Sequence, residues 1–400
     1  MSSEKNRVTR RAMLTRSAAA GVTSTLIGAG AVVATAASRR EGGASAAAGE
    51  GVIGEVPRGK TTVWQIGEQK SFQTLVRVER PIPVPAPGQA LVRVHYAGIA
   101  ARDQGIAIQR FPVPPGPRPA TRIPLSEGSG EVLAVGAGEA RIKPGDRVTC
   151  CHWANWVNGP WSPSNYSADV GNTIDGWLGE HVLLPTSCLA VIPDGVSWED
   201  AATVTGSGLT AWHALHEVAH VRSDDVVLSL GTGGVSTWGV RLAKAAGARV
   251  IVTSSSDDKL AQMQAVGADL GVNYRRNPQW GKEVFEKTGG RGASVVLENV
   301  GPATLDQSMA AAAVNARIVM IGTGAPPPNP PNMNGIYIKN LMLKAISAGS
   351  RSMLEGLLAA MAQNGLKAVI SQVVPYAEAV KAYDAIRAGE GLGKIVIKVI

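Results

Sequence analysis

The stretch "LSLGTGGVS" (228–236) places Gly231, Gly233 and Gly234 between a continuous apolar run and an amphipathic one. Glycines so spaced suit one task. Bare backbone N–H groups at a helix N-terminus can approach a diphosphate closely, and the helix dipole favours its charge. The context supports the pattern. "VVLSL" (226–230) reads as a buried parallel strand, and "GVSTWGVRLAKAAG" as a helix with Val235, Trp238, Leu242 and Ala246 on one face and Gly247 as its stop. A dinucleotide site at Gly231, Gly233, Gly234 and Val235 is therefore expected. The full fingerprint asks for a third glycine where Ser236 stands, a residue still small enough for close helix–strand packing. A tight turn without a ligand is the competing reading.

The next strand decides which dinucleotide. NAD sites carry Asp or Glu about 20 residues on, gripping the ribose 2′-hydroxyl. Here "RVIVT" runs into "SSSDDK", and Ser254 falls where that carboxylate would be. A hydroxyl does not repel a 2′-phosphate, and Lys259 and Tyr274 could reach one. Asp257 and Asp258, a turn later, argue the other way, and Lys259 could equally be a solvated helix residue. NADP(H) is expected over NAD(H).

The elements that must hold this turn follow from the rest of the chain. From about 226 strands alternate with helices: "RVIVTS", "DDKLAQMQAVG", "LGVNY", "SVVLENVG", a helix over 303–313, "RIVMIGTG" and "LMLKAIS". That alternation predicts a doubly wound α/β unit with a parallel sheet. Residues 62–150 instead read as short strands broken by Pro and Gly, a small β-rich domain that includes "QALVRVHYAGI".

Length and charge bound the function. Four hundred residues suggest two domains. Of 39 Lys and Arg, seven fall in residues 1–40 against one acid, leaving 32 bases and 30 acids in the remainder. The body is nearly neutral, so a nucleic-acid partner is not expected. Cys150, Cys151 and Cys188 are too few for a disulfide framework.

"TRRAML" (9–14) precedes an uncharged run from Ser17 to Ala37 that ends in small residues. Paired arginines before such a run resemble a twin-arginine export signal, read by machinery that moves folded proteins. Export to the periplasm or beyond is expected, with a cytoplasmic location if the signal is unused. The membrane is a partner only through that signal; an uncleaved anchor and a chance tail are the alternatives. The expected organisation is a signal (1–40), a flexible leader (41–60), a catalytic domain (61–190, completed by 350–400) and a dinucleotide domain (191–349).

In order and spacing, "PGQALVRVHYAGIAARD", "IPLSEGSGEVLAVGAG", "KPGDRV", "GLTAWHAL", "LGTGGVS" and "GLGKIVIKVI" resemble the medium-chain dehydrogenase/reductase family from about residue 60 onward. The resemblance implies a GroES-like barrel joined to a Rossmann-type doubly wound parallel sheet, with the active site in the cleft between them. It also implies that Thr210, Gly301, Gly322 and Lys394 line the cofactor.

Zinc-dependent members place ligands where Ala100, Ser126 and Gly206 stand here. A catalytic zinc needs three protein ligands, so none is expected, and the family's structural cysteine loop is missing too. The resemblance then points to the zinc-free quinone-oxidoreductase and enoyl-reductase branch, where positioning can drive hydride transfer to an activated small-molecule acceptor. Ala100, Ser126, Gly206 and Ser207 would line the substrate site. Arg102, Asp103 and Glu127 are the catalytic candidates, each with a structural role as the alternative.

The insert "CCHWANWVNGPWSPSNYSADVGNTIDGW" (150–177) carries Trp153 and Trp156, which could stack on a flat acceptor or form the loop's own core. The Cys150-Cys151-His152 cluster is not expected to bind metal. The overall expectation is an NADPH-preferring reductase of quinone-like or conjugated carbonyl compounds, working as a homodimer through the strand "LMLKAIS". An alcohol or aldehyde dehydrogenase-like enzyme of the same family is the first alternative, and a catalytically decayed binding protein the second.

Overall fold

The structure, a computed structural model, describes residues 51–67, 75–108, 121–324 and 329–400. The basic N-terminal segment and the first half of the leader lie outside the described residues. Among the described residues no helix is long and apolar enough to cross a membrane.

Two sheets carry the fold. The first is a six-stranded, wholly parallel sheet in the spatial order Leu270–Asn273, Arg249–Ser254, Val226–Leu230, Ala293–Glu298, Ala312–Met320, Met342–Ala345. In chain order this is 3-2-1-4-5-6, so the crevice at the point of reversal opens beside the end of Val226–Leu230. That strand is buried along its whole length, as expected for a central parallel strand. Helix Gly234–Ala245 packs Trp238, Val240 and Leu242 into the main core. Each such fully buried side chain contributes about 1.5–3 kcal/mol.

The second sheet runs in the order Ile370–Pro375, Lys394–Lys398, Gln89–Ile99, Glu127–Val135, Arg147–Cys150, Leu189–Val191, with His181–Pro185 also paired to Gln89–Ile99. Its C-terminal strands pair parallel with each other, and Lys394–Lys398 pairs antiparallel with Gln89–Ile99. The chain's end thus joins a sheet begun some 300 residues earlier.

Three local expectations need correction. The leader is not flexible throughout, because Ile53–Gly54 pairs with Val135 and Ala134 and Lys60 already opens a strand. The helix expected over 303–313 is Leu305–Ala311, because Ala312 is drawn into the ladder opposite Ala293 despite its helical propensity. A helix over Trp280–Lys287 was not expected at all. Its ion pairs Lys282–Glu286 and Glu283–Lys287 sit four residues apart.

Candidate active site

The glycine turn forms where the reversal places it. Gly231 has φ +81°, a left-handed value that a side chain disfavours. Gly233 caps the helix, and a Cβ at Gly231 or Gly233 would meet nothing within 4 Å. The turn therefore keeps bare backbone at a helix N-terminus with free space in front, which fits a diphosphate. Ser236 replaces the third glycine without loss. Its hydroxyl donates to the Leu230 carbonyl at 2.8 Å and accepts from Asn299 Nδ2 at 3.0 Å, tying helix, strand end and the neighbouring strand together.

Gly234 is glycine for another reason. A Cβ there would lie 2.5 Å from Ser207 Oγ and 2.6 Å from Lys394 Cδ. The C-terminal segment also touches the turn directly, Gly393 N donating to Thr232 O at 2.9 Å. Gly301 and Gly322 back onto each other where two strand ends converge, since a Cβ on Gly301 would lie 2.8 Å from Gly322 O. Thr210 spends its hydroxyl on Gly206 O at 3.0 Å, and Val235 is half-buried in the helix's first turn.

At the second strand, Ser254 is buried and accepts from Ser256 N at 3.2 Å, while Tyr274 is exposed. The Lys259 ammonium donates to Gly389 O at 2.8 Å. Asp257 is paired with Arg276.

From the turn the contacts lead inward. Lys394 is buried, its ammonium donating to Ile99 O at 2.7 Å and to Glu127 Oε1 at 2.8 Å. Its charge is committed to Glu127, and its aliphatic stem underlies the glycine turn. Burial pushes the Glu127 carboxyl up, and Lys394 offsets part of that rise. Gly206 fits against this pair because a Cβ there would lie 2.7 Å from Glu127 Oε1 and 3.5 Å from Ala100 Cβ. Ala100, Gly206, Glu127 and Ser207 therefore share one wall.

Asp103 and Arg102 do not pair with each other. Asp103 Oδ2 accepts from Ala100 N at 2.8 Å, capping helix Ala101–Ala107, and Oδ1 accepts from the Ser126 amide and hydroxyl at 3.1 and 2.9 Å. That geometry favours the structural role that was the alternative to its catalytic candidacy. Arg102 instead turns to Asp169, its Nη2 lying 2.8 and 2.7 Å from the two carboxylate oxygens. Asp169 also accepts from Asn172 Nδ2 at 2.9 Å and faces His152 Nδ1 at 3.0 Å.

Burial holds the His152 ring down to about 4, Arg102 deepens the fall and Asp169 resists it. Burial pushes Asp169 the other way, but Arg102 and then His152 more than reverse that, leaving its carboxyl below the usual range. The pairing of His152 with Asp169 was not foreseen from the sequence. The one available signal was a histidine beside Trp153.

The indoles give the insert its own core. Trp153 is 1% exposed and meets Trp161 and Tyr166 edge-on, each at 5.0 Å between ring centroids. It has no open face for stacking, so of the two readings it matches the loop's own core. Trp156 contacts Trp161 and His213 and lines a cavity of about 750 Å³ with Trp161, Trp212, Ile346 and Met353. Of the expected substrate residues, Trp156 alone reaches this cavity.

The three thiols are buried and spent on local contacts, Cys150 Sγ accepting from Trp177 Nε1 at 3.1 Å. Among the described residues no group of three or more His, Cys, Asp or Glu could hold a metal ion.

Known proteins share this fold. The pattern of zinc-binding dehydrogenases matches residues 234–363, and that of the alcohol dehydrogenase GroES-like domain matches 86–194. A zinc-type alcohol dehydrogenase-like protein of Schizosaccharomyces pombe is 34% identical over 340 residues, covering 83% of this chain and 97% of that one. The chain is a medium-chain dehydrogenase/reductase. A putative alcohol dehydrogenase from Sinorhizobium meliloti 1021 superposes with a TM-score of 0.78 at 33% identity, covering 86% of this chain and all of the other. A mycobacterial quinone oxidoreductase superposes at 0.71 with 26% identity, covering 85% and 100%. This medium-chain dehydrogenase/reductase is thus an NAD(P)-dependent oxidoreductase of a small-molecule substrate, built on a GroES-like domain and a Rossmann-type sheet.

Proposed function

We propose that this oxidoreductase works without zinc, prefers NADP(H), and exchanges a hydride with a quinone-like or conjugated carbonyl compound. The carrying observation is the wall formed by Ala100, Ser126 and Gly206. Ala100 and Gly206 have no donor atom, and the Ser126 hydroxyl is committed to Asp103. These residues do not fit a catalytic zinc, which needs three protein ligands. Without a Lewis acid the acceptor must be polarised already, as quinones and enones are.

The dinucleotide, when bound, supplies or takes the hydride. The chain's own part is to hold the diphosphate on the amides of Gly231–Gly234, to keep the wall dry, and to move the accompanying proton. Buried Ser254 and the neutralisation of Asp257 by Arg276 support room for a 2′-phosphate. The names of its relatives favour a second reading, an alcohol or aldehyde dehydrogenase-like enzyme.

Calorimetry with NADPH and NADH tests the coenzyme. Anaerobic NADPH oxidation against quinones, enones and aldehydes tests the acceptor, and metal analysis of the active protein tests the absence of zinc. Binding without turnover for every acceptor would leave a nucleotide-binding protein and sink the catalytic reading. The exposed edge strand Met342–Ala345 supports a homodimer, which light scattering checks.

A further inference from the structure

We propose that His152, held by Asp169, is the acid–base residue of this site, exchanging a proton with the substrate oxygen through Nε2. The inference rests on the hydride-transfer reading above and adds the proton path that reading lacks.

The geometry begins with Asp169, which is fully buried. Its Oδ1 faces Arg102 Nη2 and His152 Nδ1, and its Oδ2 faces Arg102 Nη2 and Asn172 Nδ2. A carboxylate with both oxygens so engaged is an acceptor only. It therefore takes the Nδ1–H of His152, and the neutral ring keeps its lone pair on Nε2. A carboxylate that fixes one imidazole nitrogen so that the other can act is the arrangement proton transfer requires.

The location follows from the neighbours. His152 stands two residues past Cys150, whose carbonyl accepts from Thr205 Oγ1 at 2.7 Å and whose thiol faces Ser126 O at 3.7 Å. Arg102 stands two residues past Ala100. The elements that carry the dyad are thus tied to those carrying Ala100 and Ser126, and Asp103, which bonds Ala100 N and Ser126, is close enough to act on the His152 ring. The Trp153 ring, 4.4 Å from the imidazole, covers one side. A purely structural role would be served more cheaply by apolar side chains than by three buried ionisable ones.

The charged groups acting on the ring are named by the fold. Asp169 and Asp103 favour its protonated form, and Arg102 and burial disfavour it. At neutral pH the resting ring is therefore a base. It takes the proton of a substrate hydroxyl as the O–H bond breaks, a C=O bond forms and the hydride leaves with its electron pair for the coenzyme. In reverse the imidazolium returns that proton to the oxygen as the carbonyl carbon gains the hydride. The substrate class this fits is an allylic or benzylic alcohol together with its conjugated aldehyde, which joins the two readings above in one reversible reaction.

The test uses the full chain with cinnamyl alcohol and NADP+, and with cinnamaldehyde and NADPH. For the wild-type protein, kcat/KM for oxidation should rise with pH to a plateau while that for reduction falls. His152→Asn keeps an amide N–H for Asp169 and removes Nε2. It should lower kcat in both directions about a hundredfold or more and flatten the pH profile, with NADPH affinity and KM within about threefold. Asp169→Asn should fall between the two.

A readout independent of turnover is the nitrogen NMR spectrum of histidine-labelled protein. Beside the Nδ1–H signal of His213, whose Nδ1 donates to Ala348 O at 2.6 Å, it should contain a buried Nδ1–H tautomer that is absent from His152→Asn. An unchanged kcat or pH profile in that variant, or an Nε2–H tautomer, would overturn this inference alone. A wild-type chain that binds NADPH but converts neither compound, nor any quinone or enone, would overturn the hydride-transfer reading and this inference with it.

Discussion

Glu127 and Lys394 meet at 2.8 Å across 267 residues of chain, both buried. One belongs to the strand Glu127–Val135 and the other to the last strand of the same sheet, with the glycine turn resting on the lysine's stem. The pair ties the C-terminus to the wall of Ala100 and Gly206 and to the glycine turn at once. Breaking one partner of a buried pair leaves the other charge unmatched.

Glu127→Gln and Lys394→Met should therefore each cost about 3 kcal/mol of unfolding free energy. The double variant should lose less than the two losses added together, with a coupling above about 1 kcal/mol. Urea unfolding of the four proteins measures this. Strict additivity would mean that the two groups do not depend on each other.

Gly233 and Gly234 are adjacent yet make opposite demands. A methyl at 233 meets open space, whereas a methyl at 234 meets Ser207 and Lys394. Gly233→Ala should leave stability within about 0.5 kcal/mol while weakening NADPH about tenfold or more, because the methyl enters the space a diphosphate would fill. Gly234→Ala should itself cost about 1–3 kcal/mol by overpacking. Thermal unfolding and calorimetry of both variants separate these outcomes.

The parallel sheet was legible because its signals are local. "VVLSL" needs burial on both faces, and the glycines that follow need a turn and a helix start. The departures at Ala100, Ser126 and Gly206 were legible too, as residue types. The His152–Asp169 contact was not. The carboxylate arrives from 17 residues on, through a loop whose closure depends on edge contacts among Trp153, Trp161 and Tyr166. No periodicity encodes such a contact. The Lys394–Glu127 pair was not legible either, because only the sheet pairing of the C-terminus brings the two together.

On the proposed NADP(H) preference, coenzyme choice should move at one buried hydroxyl. Ser254 ends the second parallel strand, and Asp257 nearby is already matched by Arg276. Ser254→Asp places an unmatched carboxylate where a 2′-phosphate would sit. NADPH affinity should fall about tenfold or more, a loss of about 1.4 kcal/mol, with NADH unchanged or tighter. Titration of both coenzymes into both proteins measures the ratio, and an unmoved ratio would remove Ser254 from the coenzyme site.

The depressed basicity of His152 makes stability depend on pH in a definite direction. Its ring titrates near about 4 when folded, against an ordinary 6.5. The folded protein thus binds fewer protons than the unfolded chain in this interval. Stability is full above about 6.5, declines as pH falls toward about 4, and levels off below. The gap corresponds to about 3 kcal/mol at most. Burial also lowers His95, His181, His213 and His216, which add to the same slope, so the difference between proteins is the informative quantity. Asp169 contributes only below its ordinary 3.8, because its carboxyl is depressed. Urea unfolding at intervals from pH 7 to 4.5 should show a shallower decline for His152→Asn than for the wild-type chain. Parallel curves would mean that the ring is protonated as readily inside the protein as outside it.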